Sequence, residues 1–214
     1  MALIYENKVP ASYRSGFVKK VSEISGKIGI DPNWLMAIMY FESGRTFSPS
    51  KGNGIGCYGL IQFCRDKKGV NYKTINGKRY LLSDIAKMDY SEQLDLVYEY
   101  YKAYTGKLKS YTDTYFVTFF PLAVGKPDDW IIQGGGLTAK QIYDANPAFQ
   151  YEKDEKLRVW EVKKTILKEL PKEWLNEGTV SLAVKAYKNY IAVGILSIVA
   201  GLTLFYYTYD RRSK

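Results

Sequence analysis

The feature that most constrains this chain is a helix face that stays apolar until its last residue. Asp31 can cap a first turn, and Pro32 suits the first helical position, where its missing N–H would be unpaired anyway. Leu35, Ile38, Met39 and Glu42 then fall at i, i+3, i+4 and i+7, so they share one face. Three apolar members turn that face inward and take Glu42 with them. A buried carboxylic acid loses the solvation of its charged form, its pKa rises, and it can hold a proton near neutral pH. Protonating a glycosidic oxygen requires such a group.

After Glu42 the helix has reason to stop. Ser43-Gly44 breaks the pattern, and Pro49, Gly52, Gly54 and Gly56 mark a loop. Gly59-Leu60-Ile61-Gln62-Phe63 then makes a glycine turn into a short apolar run that carries one amide. Glu42-Ser43-Gly44, followed by Gly56-Cys57-Tyr58-Gly59-Leu60-Ile61-Gln62-Phe63, resembles the Glu-Ser and Gly-Leu-Met-Gln motifs of soluble-type lytic transglycosylases, members of the lysozyme-like superfamily. The resemblance covers roughly residues 17–170, and its specific part is confined to 34–63. It implies a mainly α (α+β lysozyme-like) fold, a helical two-lobed domain with a substrate cleft. It also implies Glu42 as the catalytic acid, Ser43 orienting Glu42 or the substrate, and Gln62 with the Tyr58-Gly59 turn binding sugar. These families place a tyrosine-bearing helix across the cleft from the acid. Residues 112–122, TDTYFVTFFPL, with Tyr115 and Phe119, are the candidate for that wall, and core packing is the competing reading.

Ordinary glycosidases flank the scissile bond with two carboxylates, and no second acid lies within the motif stretch. Asp66, Asp84 and Asp89 are the nearest downstream, and none belongs to a recognisable motif. A lone acid fits the scheme that the resemblance implies. One glutamate protonates the bond between N-acetylmuramic acid and N-acetylglucosamine, then takes a proton from the muramoyl 6-hydroxyl, which closes a 1,6-anhydro ring. No metal or cofactor is called for. A hydrolytic muramidase and a catalytically silent wall-binding protein are the alternatives.

The chain of 214 residues is 46% hydrophobic, enough for one domain with a core and an appendage. Its net charge of +9 favours an anionic partner. The basic residues are scattered and match no nucleic-acid motif, so cell wall or membrane is the expected partner and nucleic acid is not. With no histidine present, Ser-His and Cys-His catalysis and His-ligated metal sites are excluded. Cys57 and Cys64 are the two cysteines. They could close a disulfide across the glycine turn if their Cα atoms lie within about 7 Å; two buried thiols is the reading the sequence favours.

The remaining segments read in order. Residues 1–10 do not resemble a signal peptide. Phe17, Val21, Ile24 and Ile28 predict an amphipathic helix that Gly29 ends. Residues 66–80 predict loop or a short hairpin, and Ser91 caps a helix through about Tyr104 with Leu94, Val97, Tyr98 and Tyr101 on one face. Thr138 with Gln141 makes a capping box. Residues 150–161, QYEKDEKLRVWE, look like a worn calcium loop, with Gln150 at the first ligand position and Glu155 where glycine makes the turn. A structural remnant is expected there, not a metal site.

The domain is expected to span 1–175, with a connector at 176–188. Residues 189–209 run for 21 positions without a charge and end in a tyrosine cluster followed by Arg211, Arg212 and Lys214. That pattern predicts a single-pass transmembrane helix with a basic tail at 210–214. A wall-cutting domain so anchored and without a leader points, by analogy, to a bacteriophage protein held in a virion membrane among other virion proteins, with a tail-anchored bacterial membrane protein as the alternative.

Overall fold

The computed structural model describes residues 2–175 apart from 55 and 68. It divides into two compact units, Met1–Lys109 and Ser110–Lys214.

In the first unit, α1 (Arg14–Ile28) buries Phe17, Val21, Ile24 and Ile28. Gly29 ends it at φ 81°, where its N–H and that of Ile30 both reach the Ser25 carbonyl. α2 (Pro32–Glu42) starts on an Asp31 cap that accepts from the Asn33 N–H at 2.9 Å. Leu35, Ile38 and Met39 are fully buried on its inner face. Two short antiparallel hairpins follow. β1 (Cys57–Tyr58) pairs with β2 (Phe63–Cys64), and β3 (Tyr72–Ile75) pairs with β4 (Lys78–Leu81) through an Asn76-Gly77 turn with both φ positive. A one-turn helix, α3 (Leu82–Ile85), leads to α4 (Tyr90–Tyr101), which packs on α1. Asp89, not Ser91, caps α4, in a reciprocal box with Glu92.

The second unit holds α5 (Tyr111–Phe119), α6 (Ala139–Ala145) and α7 (Val159–Leu167). Ser110 caps α5, and Thr138 with Gln141 forms the expected box on α6. α5 and α7 pack together.

Two expectations are corrected. The fold is mixed helix and sheet, not mainly α: 48% of the described residues are helical and the rest include the two hairpins. Strands of two and four residues are too short to display an alternating pattern, so they left little trace in the sequence. The single-pass membrane assignment is corrected as well. Among the described residues no helix is long and apolar enough to cross a membrane. α1, at 15 residues, rises only about 22 Å against a hydrocarbon core of about 30 Å. The connector at 176–188, the stretch 189–209 and the tail at 210–214 lie outside the described residues.

Candidate active site

Glu42 is the last residue of α2 and is 7% exposed. Burial raises its carboxyl from 4.5 to about 8, with no neighbouring charge contributing among the described residues. Its Oε1 is buried, and among the described residues nothing donates to it. A carboxylate so placed would be uncompensated, so the neutral acid is the form this site holds at pH 7.

The chain then reverses sharply. The Ser43 hydroxyl, fully buried, accepts from the Phe47 N–H at 2.8 Å, and the Ser43 carbonyl accepts from the Thr46 hydroxyl at 2.7 Å. These bonds commit Ser43 to bracing the backbone that follows Glu42. Gly44, Arg45 and Phe47 all take positive φ in this reversal. Strained φ values of this kind in non-glycine residues persist where the surroundings over-determine them, and they gather at functional sites.

Gly59 to Gln62 form the tip of the β1–β2 hairpin, with the Gln62 N–H donating to the Gly59 carbonyl at 3.2 Å. Gly59 stands at φ 89°, and a Cβ there would lie 2.3 Å from the Gln93 Oε1. Gln62, also at positive φ (51°), is 8% exposed. Its Nε2 donates to the Lys51 and Gly59 carbonyls at 3.0 and 3.1 Å. Its Oε1 is buried and, among the described residues, accepts from nothing. Tyr58 is half-buried and packs its ring on Gly52. Cys57 and Cys64 face each other at a Cα separation of 4.1 Å and are joined by a disulfide, so the reading as two thiols is replaced.

Lys51 ties the two halves of the motif together. Its side chain lies 3.3 Å from where a Gly44 Cβ would stand, beside the Glu42 exit. Its carbonyl accepts from both the Gly59 N–H and the Gln62 amide. Glu42 Oε1 and Gln62 Oε1 are thus buried polar atoms of this unit without hydrogen-bond partners among the described residues, as are Ser25 Oγ and Trp34 Nε1. Glu42 and Gln62 lie on the segments that Lys51 joins. Buried polar atoms are nearly always paired, so each such exception calls for a reason.

No family model matches this chain. Neither do any curated protein or solved structure.

Tyr115 and Phe119 belong to α5 in the second unit. Tyr115 is 1% exposed, with its ring stacked on that of Phe119 at 5.9 Å. Phe119 is half-buried and meets Phe149 edge-on.

The worn calcium loop keeps one trait of its kind, since Glu155 takes φ 60° at the position where glycine turns. Glu161, Asp154 and Glu155 are otherwise engaged, Glu155 with Lys140. Glu161 turns inward and accepts from the N–H groups of Tyr151, Glu152 and Arg158 at 2.9, 2.9 and 2.7 Å. Asp154 pairs with the Arg158 guanidinium, which holds its carboxyl below the usual range. Among the described residues no group of acids, cysteines or histidines could hold a metal ion.

Sequence reasoning passed over Gln93, fully buried on α4 and in contact with the glycine turn. The signal was available: a polar residue in register with Val97 and Tyr101 on an inward stripe, the same anomaly that singled out Glu42.

Proposed function

We propose that this chain cleaves the glycan strands of peptidoglycan as a lytic transglycosylase. The observation that carries the reading is Glu42, a single carboxyl kept neutral by burial, with no neighbouring charge acting on it among the described residues. In a hydrolase with two carboxylates the partner acid would stand close by. Here Glu42 gives its proton to the departing N-acetylglucosamine oxygen as the C1–O bond of the muramoyl residue breaks. The substrate's own N-acetyl group covers the cation that forms. The Glu42 carboxylate then withdraws the proton of the muramoyl 6-hydroxyl, and that oxygen bonds to C1. The proton that leaves Glu42 is thereby replaced, and no water is consumed. Gln62 Oε1 is the acceptor left over for a sugar N–H or O–H, and Gly59, lying against the Gln93 amide, shapes the turn that carries it. The net charge of +9 suits a wall carrying carboxylates and phosphates.

The test is release of labelled glycan from bacterial walls by the wild-type chain and by Glu42→Gln. We expect wild-type release to exceed that of Glu42→Gln by at least 10²-fold, since general acid–base chemistry supplies on the order of 10²–10⁴. Equal release by both removes the enzymatic reading. Masses of the products decide the reaction: anhydro ends weigh one water less than reducing ends, and reducing ends would make the chain a hydrolytic muramidase.

A further inference from the structure

Gln93 spends its whole amide on three segments that are not its own helix. Its Oε1 accepts from the Leu60 N–H at 2.9 Å; its Nε2 donates to the Ile85 carbonyl at 2.8 Å and also to the Pro49 carbonyl. Gly59 lies flat on that amide, since any Cβ there would collide with Oε1. α4 itself is fixed by the Asp89–Glu92 box one turn earlier and by packing on α1. Gln93 therefore registers the tip of the β1–β2 hairpin and the Pro49 loop against a rigid helix.

The hairpin needs such a clamp. Two strands of two residues cannot hold themselves in water. The Cys57–Cys64 bond closes the base of the hairpin and leaves its tip, Gly59 and Leu60, to other contacts. The tip carries Gln62, whose Oε1 is the unpartnered acceptor. Resting on the reading of Glu42 and Gln62 given above, we propose that Gln93 is the positioning residue of the glycan-binding turn. An amide that never meets the sugar sets the place of the groups that do, and so governs affinity at the site.

Binding is measured on the full chain carrying Glu42→Gln, by titration calorimetry with a defined N-acetylglucosamine–N-acetylmuramic acid tetrasaccharide. Turn placement is measured separately, as the rate at which a phosphine reductant opens Cys57–Cys64, read by mass after thiol alkylation. These are the chain's two cysteines, so every thiol detected comes from that bond. Gln93→Met keeps the volume and removes all three bonds. We expect it to weaken saccharide binding at least tenfold and to speed reduction at least tenfold, in protein whose thermal transition still lies above the assay temperature. Gln93→Glu keeps an acceptor for Leu60 and should fall between Gln93→Met and its parent in both measurements. A folded Gln93→Met variant that matches its parent within twofold in either measurement overturns the proposal. If Gln93→Met does not fold, the same two measurements on Gln93→Glu decide, and parent-like values in either overturn it. A parent that binds no saccharide brings down the functional reading instead, while the reduction rates still judge whether Gln93 places the turn.

Discussion

Glu42 shows how one residue can be set for chemistry at a cost to the fold. From about pH 4.5 to 8 the unfolded chain gives up the Glu42 proton while the folded chain keeps it. The unfolded state therefore binds fewer protons in this window, and stability falls as pH rises through it. The full effect is about 5 kcal/mol. Glu42→Gln removes it, so that variant should unfold at higher urea than the wild type at pH 8 and at the same urea at pH 4. A constant difference at both values would mean that the carboxyl is not held neutral by the fold. The rate should follow the same group with the opposite use. With the acid form required, kcat/KM should drop about tenfold per pH unit above pH 8. A profile already falling below pH 6 would assign the proton to another residue.

Among the elements, the β1–β2 hairpin has least support of its own and carries most of the candidate site. Its disulfide closes a loop with a sequence separation of only 7, and so short a loop is stabilised by about 2 kcal/mol. Replacing both cysteines by alanine, or adding reductant, should lower the unfolding free energy by that amount, measured from urea midpoints. No change would show that Gln93 and the Lys51 carbonyl hold the turn unaided. The loop at 150–161 is the converse case, a metal-loop shape in which Glu161 and Asp154 find partners inside the loop and Glu155 pairs with Lys140 on α6. Glu161 serves three backbone N–H groups, and Arg158 supplies the positive charge beside Asp154. Millimolar calcium should leave the melting temperature unchanged, whereas a rise of more than about 3 °C would show that an ion can displace these contacts.

At the scale of the whole molecule, what was legible in the residues depended on how local its cause was. Both α1 and α2, the Asp31 cap of α2, the Gly29 stop of α1 and the inward face of Glu42 all follow from neighbours within a turn of helix, and all could be read from spacing. Asn76-Gly77 is also a local turn signal, and it lay within the basic stretch left open as loop or hairpin. The mainly α reading failed because the hairpins are shorter than any period that could reveal them. The transmembrane reading rested on residues 189–209, outside the described chain, and no described helix supplies a span. By itself the sequence determined which residue types stand on which helix face, because 3.6-residue periodicity, capping and glycine's freedom act over a few positions. Only the tertiary structure decided that Cys57 meets Cys64, that Gln93 clamps the Gly59 turn and that Glu161 closes its own loop. Those outcomes join segments far apart in the chain or turn on where a side chain points, and burial, rather than local preference, sets which polar groups must find one another.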